Sequence, residues 1–158
     1  MSFNQIGYTQ LGSAGNIIDV TGMDEKPNIQ IIITENATSS ITGMTTFNGE
    51  TGAEYAYRTN ENYSASDGTT ASANNLRLDR GNREQMIIVY MTNISDEEKL
   101  VISSLCGNGS AGASNAPDSW EAIGKWDDTS VSVEQITQTN ISAGSFEADS
   151  AVQVFGAD

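Results

Sequence analysis

Residues 119–126 read Ser-Trp-Glu-Ala-Ile-Gly-Lys-Trp, and this stretch decides the class of fold. Every second residue from Trp120 to Trp126 is apolar or small, whereas Glu121 and Lys125 belong to the alternate set. A period of two places the first set on one face of a β-strand, toward a core, and the second set toward solvent. The stretch therefore predicts a half-buried strand.

Similar stretches recur along the chain, separated by Gly, Asn, Asp and Pro residues that favour turns. Segments 28–34 and 85–91 are apolar on both faces, which is typical of central strands. Asn48-Gly49 is the strongest short hairpin signal. The other predicted strands are 16–20, 40–47, 54–58, 99–106, 130–141 with a bulge at 135–136, and 145–155, with 76–78 as a short return to the sheet.

This pattern predicts an all-β protein of roughly eight to ten strands, folded as a two-sheet antiparallel β-sandwich of jelly-roll type. We expect a single sandwich domain over residues 16–158, preceded by a polar N-terminal arm over residues 1–15. Residues 59–75 are rich in Ser, Thr, Asn and Asp and predict a long loop. Residues 95–98 predict either one capped helical turn or an acidic turn.

The charge of the chain excludes several classes of partner. There are 21 acidic and seven basic residues among 158, a formal net charge of −14. Phosphate binding needs a basic face, so neither nucleic acid nor an anionic membrane surface is expected as a partner. The charge favours solubility. It fits two descriptions equally, a protein that works at high salt and an acidic surface protein of a bacterium or virus.

Cys106 is the one cysteine, so an intrachain disulfide cannot form, and we interpret it as a buried structural thiol. The first residues lack the basic and apolar regions of a secretory signal. We therefore expect the protein to be made in a reducing cytoplasm.

The residues offer little that is typical of an enzyme. The chain has no histidine, which excludes the usual Ser-His-Asp and Cys-His nucleophilic sites and the commonest zinc ligand. Residues 96–98 and 127–129 could supply oxygen ligands to calcium, although neither has an EF-hand spacing. We predict no catalytic residue, no cofactor and no metal-binding residue. The carboxylates considered for acid–base work, and interpreted instead as solvated surface groups, are Asp19, Glu50, Glu54, Glu121, Asp127 and Asp128.

Two pairs of aromatic residues allow a binding interpretation. Trp120 and Trp126 share one face of a predicted strand, where they form either a sugar-stacking platform or, more commonly, part of a core or an interface. Tyr55 and Tyr57 allow the same two interpretations. The packing interpretation is the one we favour for both pairs.

Two stretches carry a family resemblance. One is Phe-Asn-Gly-Glu-Thr-Gly-Ala-Glu-Tyr-Ala-Tyr-Arg at 47–58, and the other runs from Gly-Lys-Trp-Asp-Asp-Thr at 124–129 through Gly-Ser-Phe at 144–146 to the terminal Val-Phe-Gly. Across about half the chain, their spacing resembles that of small β-rich structural proteins of tailed bacteriophages and prophages. This chain is more acidic than those proteins, and its start, through Asp24, is shorter and less strand-like.

The resemblance implies a virion component with no catalytic residues. It implies that Asn48-Gly49 forms a hairpin, that Trp126 and Phe146 pack in the core, and that Gly144 permits a tight turn. The first hypothesis is a capsid decoration, or cement, protein that is made in the bacterial host cytoplasm and resides in the virion. Its partners would be the major capsid protein or other virion proteins and further copies of itself, with a trimer favoured. The arm over 1–15 would reach a neighbour.

Two alternatives belong to other classes. One is a tail- or head-fibre module that recognises host carbohydrate, with exposed aromatic residues such as Trp120 or Tyr63 near the 59–75 loop. The other is a filament subunit that polymerises when the N-terminal arm is donated as a strand to a neighbour.

Overall fold

The computed structural model describes residues 2–62, 67–81, 84–110 and 112–158. These ranges contain eleven β-strands and no helix. The strands are β1 (Asn4–Gln10), β2 (Ile17–Val20), β3 (Asn28–Asn36), β4 (Gly43–Phe47), β5 (Tyr55–Glu61), β6 (Asp67–Ala73), β7 (Glu84–Thr92), β8 (Lys99–Gly107), β9 (Asp118–Trp126), β10 (Ile136–Asn140) and β11 (Ala151–Ala157).

The strands form two antiparallel sheets, which confirms the predicted fold class. The larger sheet has eight strands in the order β1-β11-β3-β7-β8-β9-β5-β6, and the smaller has three in the order β2-β10-β4. Because the sheets are unequal, the small sheet can cover only part of one face of the large sheet. The other face of the large sheet is therefore left to solvent or to a partner.

The core lies between the two sheets and follows the alternation of the strands. In β3, Ile29, Ile31 and Ile33 are buried, whereas the residues between them are half-buried on the opposite face. Phe47 from the small sheet packs against Tyr55 and Trp126 from the large sheet, at ring-centroid distances of 6.1 and 5.8 Å, and Tyr55 stacks on Trp126 at 6.3 Å. The Tyr55 hydroxyl accepts a hydrogen bond from the Phe47 amide, so this aromatic cluster joins the two sheets.

The N-terminal segment is part of the large sheet. Residues 4–10 form β1, which pairs antiparallel with β11 from Asn4↔Gly156 to Gln10↔Ala151. The prediction of an arm over 1–15 is therefore wrong for these residues. The strand lies at the edge of the sheet and most of its side chains are exposed, so the apolar alternation that reveals a strand in sequence is weak.

The predicted loop over 59–75 is also wrong for most of its length. Residues up to Glu61 continue β5, and residues 67–73 form β6, the other edge strand of the large sheet. Nearly every side chain of β6 is exposed, so its sequence lacks the alternation of apolar residues that would predict a strand. Tyr63 lies outside the described residues.

The predicted strand over 130–141 is shorter in the structure. Only Ile136–Asn140 pair as β10, and residues 130–135 are irregular. The Asn48 side chain replaces the missing strand partner, because its Oδ1 accepts from the amides of Glu134 and Gln135 and its Nδ2 donates to the Ser132 carbonyl. Of the two forms predicted for residues 95–98, the structure has the acidic turn.

The short strand predicted over 76–78 is reduced to an isolated β-bridge between Leu76 and Thr45.

Candidate functional site

The most unusual surface of the molecule is the outer face of the eight-stranded sheet, the face opposite the core. On its central strands, large apolar side chains point away from the protein instead of into it. Their exposed fractions range from 47% for Met86 to 62% for Ile102. The five most exposed are Met86, Tyr90, Leu100, Ile102 and Ile123, which we call the apolar face.

The strand register places these side chains next to one another. Tyr90 of β7 pairs with Ile102 of β8, which in turn pairs with Ile123 of β9. Cross-strand neighbours on one face of a sheet lie within about 5.5 Å at Cβ, so the three form a continuous apolar row. Isolated apolar residues on a surface are ordinary, but a continuous patch marks a site of interaction.

The outer face includes a groove of about 660 Å³ that crosses β8, β9, β5 and β6. Leu100, Ile102 and Ile123 of the apolar face line it, together with small residues of β5 and β6. Among the described residues, the charged side chains that line it are the cations Arg58 and Lys125. The groove is open to solvent, so it suits a surface of another molecule better than an enclosed small ligand.

Both cations are held by acidic neighbours at the rim. Arg58 Nη1 lies 2.5 Å from Asp67 Oδ2, and Lys125 Nζ lies 2.8 Å from Glu98 Oε1. The hydrogen bond from Arg58 lowers the pKa of Asp67, and that to Glu98 raises the pKa of Lys125. All four side chains are substantially exposed, and exposed ion pairs contribute little to stability because water screens them. They can therefore be exchanged for a partner's charges at small cost.

A second feature, a buried pair of carboxylates, was not predicted from the sequence. Glu35 of β3 and Asp79, which follows Leu78, are both fully buried between the sheets. The amide of Gln85 donates to Glu35 Oε2 and lies 3.4 Å from Asp79 Oδ2. From the small sheet, Gln138 donates to Glu35 Oε1 at 2.6 Å and the Gly43 amide donates to Asp79. This polar cluster therefore ties the two sheets together.

Burial dominates the ionisation of this pair. Burial, with a smaller contribution from the nearby Asp79, raises the pKa of Glu35 to about 7, against the opposing effect of the hydrogen bonds from Gln85 and Gln138. Burial also raises the pKa of Asp79 to about 6, against the opposing effects of the Gly43 amide and of Arg77. Arg77 Nε lies 3.8 Å from Asp79 Oδ1, and its guanidinium lies 5.1 Å from the centre of the Trp120 ring. The groups face inward, so we interpret the cluster as structural.

One signal in the sequence could have revealed Glu35. The alternation that places Ile29, Ile31 and Ile33 inward also places Glu35 inward, because it is the next residue of the same parity. Because the predicted strand ended at residue 34, the prediction did not include Glu35 among the inward-facing residues. Asp79 has no comparable signal, because the segment that carries it is irregular.

The carboxylates singled out from the sequence are not buried, and they bond mainly to the chain itself. Asp19 accepts hydrogen bonds from Gln135 and Thr137. Glu54 accepts one from Trp126 Nε1, and Asp128 accepts two from Ser130. Glu50 binds the Gly52 amide. Glu121 and Asp127 are exposed.

The two acidic loops considered for calcium meet, since the Asp96 amide donates to the Thr129 carbonyl. Between them lies the ammonium group of the buried Lys99, which donates to the carbonyls of Glu97 at 2.6 Å and Asp128 at 3.1 Å. The cation that the loops' backbone oxygens bind is therefore a lysine of the chain. Within the described ranges, no group of three or more His, Cys, Asp or Glu residues could hold a metal ion.

The aromatic pairs lie mainly in the core. Trp126 and Tyr55 are each 1% exposed and Trp120 is 7% exposed, so they cannot present a ring face to a sugar. The packing interpretation is confirmed for these three, and Tyr57 packs partly against the core. The interpretation of Cys106 as a buried thiol is wrong, because its position in β8 has the parity of the outer face and its side chain is exposed.

No family model, no curated protein and no solved structure matches the chain. Of the part of the chain that the structure describes, no helix is long and apolar enough to cross a membrane.

Proposed function

We propose that this chain is a non-enzymatic structural protein of a phage virion, a capsid decoration protein that docks through its apolar face. The observation that supports docking is the continuous exposure of Tyr90, Ile102 and Ile123 across three adjacent central strands. The resemblance of segments 47–58 and 124–156 to phage structural proteins supports the virion as the setting.

Burial of this face would supply the free energy of docking. Each Å² of apolar surface removed from water contributes about 25 cal/mol. A stable interface covers roughly 800 Å² per partner, with an apolar centre and a polar rim. The apolar face fits the centre, and the exposed charged side chains around it fit the rim. The remaining surface of an acidic protein keeps decorated shells apart by charge repulsion.

Binding to shells tests this proposal. Undecorated shells of the virus that encodes the chain are mixed with the wild-type protein, with Ile102→Glu, and with Ile141→Glu as a control. Ile102 is 62% exposed on the apolar face, and Ile141 is 59% exposed outside it, so both substitutions leave the core intact. We expect Ile102→Glu to weaken binding about tenfold or more, because a carboxylate would have to be buried. Equal binding of all three proteins would contradict docking through this face.

One observation supports an alternative function, that of a filament subunit. β1 lies at the edge of the large sheet, and an edge strand can be exchanged between copies to build filaments. The strand already pairs with β11 of its own chain, so the described fold does not need a donated strand. Polymers that form with the whole chain and vanish when residues 1–10 are removed would favour the filament subunit.

A further inference from the structure

The chain contains two Asn-Gly dipeptides, at 48–49 and at 108–109. In such a pair the glycine nitrogen can attack the carbonyl carbon of the asparagine side chain, because glycine has no side chain to hinder the approach. The new C–N bond closes a five-membered succinimide ring and expels the side-chain nitrogen as ammonia. Water then opens the ring at one carbonyl or the other and leaves an aspartate or an isoaspartate. The reaction needs no catalyst and no reactant except water.

The surroundings of the two dipeptides are alike in several respects. Asn48 directly follows the end of β4, and Asn108 directly follows the end of β8. Both asparagines are half-buried and both glycines are exposed. Both glycines also have a left-handed backbone, with φ of 70° at Gly49 and 55° at Gly109. The two sites therefore form a natural pair for comparison.

The two sites differ in what holds the asparagine side chain. That of Asn48 makes three hydrogen bonds, of 2.8 to 3.0 Å, to the backbone of residues 132–135. Among the described residues, the side chain of Asn108 makes one, from its Nδ2 to the exposed carboxylate of Glu84 at 2.7 Å. The side chain must rotate toward its own backbone to react, which breaks these bonds. Water can replace the single bond at Asn108, whereas the bonds of Asn48 hold a segment of the fold.

We propose that Asn108 is a site of spontaneous deamidation, and that the fold protects Asn48 although it is followed by the same residue. The site is independent of the proposed docking function.

The modification changes the end of the β7–β8 ladder. The Asn108 amide donates to the Glu84 carbonyl at 3.0 Å and extends the ladder beyond the pair Gln85↔Gly107. Deamidation replaces the side-chain donor with a carboxylate, so the attraction to the Glu84 carboxylate becomes a repulsion between like charges. An isoaspartate also adds a carbon atom to the main chain at this point. Both products therefore loosen this end of the ladder.

Peptide mapping by mass spectrometry tests the difference between the two sites. The folded protein is incubated at mildly alkaline pH, and the fraction of each asparagine converted to aspartate or isoaspartate is followed over time. We expect Asn108 to react at least about tenfold faster than Asn48, because two fewer hydrogen bonds must be broken. Equal rates at the two sites, or faster conversion of Asn48, would overturn the inference.

The same incubation in concentrated urea shows whether the fold causes the difference. Unfolding removes the bonds of both side chains, so the two rates should approach each other. A difference that persisted in urea would come from the neighbouring residues in the sequence and would contradict protection of Asn48 by the fold.

Two variants of Asn108 test the site and its consequence. Asn108→Gln keeps an amide donor but would have to close a six-membered ring, so it should give one species on ion exchange while the wild type develops a more acidic one. An equal amount of acidic species in this variant would place the reaction elsewhere. Asn108→Asp reproduces one product, and the backbone amide at 108 should exchange its hydrogen severalfold faster than in the wild type. Unchanged exchange would contradict the loosening of the ladder.

Discussion

At the scale of single residues, the buried carboxylates make the stability of the fold depend on pH. The pKa of Glu35 is about 7 in the folded protein against an ordinary value of 4.5. A carboxyl group with a raised pKa binds its proton more tightly when folded. The stability that the folded state gains from this tighter proton binding is therefore fully present below pH 4.5 and is lost as the pH rises through 7. The charged groups that face it are Asp79, which raises its pKa, and Arg77, which contacts Asp79.

We predict that Glu35→Gln removes much of this dependence. Between pH 5 and pH 8 the wild-type free energy of unfolding should fall by on the order of 3 kcal/mol, as a shift of this size in one buried group implies. In Glu35→Gln the fall should be clearly smaller, because a glutamine does not titrate. Urea unfolding at the two pH values measures it, with the exposed Glu121→Gln as the control. The same pH dependence in wild type and Glu35→Gln would show that Glu35 is not protonated in the folded state.

At the scale of elements, one asparagine side chain holds an irregular segment in place. Asn48 has a left-handed backbone, with φ of 51°, and its side chain makes three hydrogen bonds to residues 132–135. The predicted strand over 130–141 begins only at Ile136, because the side chain of Asn48 satisfies amides that would otherwise pair with a neighbouring strand.

Two substitutions at Asn48 separate the contribution of its side-chain hydrogen bonds from that of its left-handed backbone. Asn48→Gly keeps the left-handed backbone at no steric cost but loses the hydrogen bonds, which we expect to lower the free energy of unfolding by roughly 2 kcal/mol. Asn48→Ala also strains the backbone and should cost about 1 kcal/mol more. Chemical denaturation of the wild type and the two variants measures both losses in the free energy of unfolding. If the glycine variant were as stable as the wild type, the side chain would not be what holds the segment.

At the scale of the whole molecule, the net charge opposes self-association and the apolar face favours it. With a charge of −14, copies repel one another at low salt, and this repulsion is screened within about 8 Å at physiological ionic strength. The balance between the two should therefore move toward association as salt is raised, and copies that associate through the apolar face cannot at the same time dock to a shell through it.

We predict that the solution mass rises from 16.8 kDa at low salt toward three times that value at high salt. Light scattering after size exclusion measures it. Ile102→Glu should keep the monomer mass at both salt concentrations, whereas Ile141→Glu should behave as the wild type. A trimer that persists in Ile102→Glu would mean that copies associate through a surface other than the apolar face.

The sequence by itself determined the all-β class, the two central strands and the turn at Asn48-Gly49. These depend on local alternation and turn chemistry, which short stretches contain in full. The hairpin predicted at this turn is wrong, because β4 pairs with β10 in the small sheet and β5 pairs with β6 and β9 in the large sheet. The edge strands β1 and β6 were missed, because an edge strand with mostly exposed side chains needs no apolar pattern and is defined by its neighbour.

Only the tertiary structure decided the rest. The apolar face exists because strands distant in sequence place Tyr90, Ile102 and Ile123 side by side, and because the smaller sheet covers only the opposite face. The meeting of Glu35 with Asp79 likewise depends on how the sheets pack. Contacts between distant segments are set by the free energy of the whole fold, so a local pattern cannot specify them.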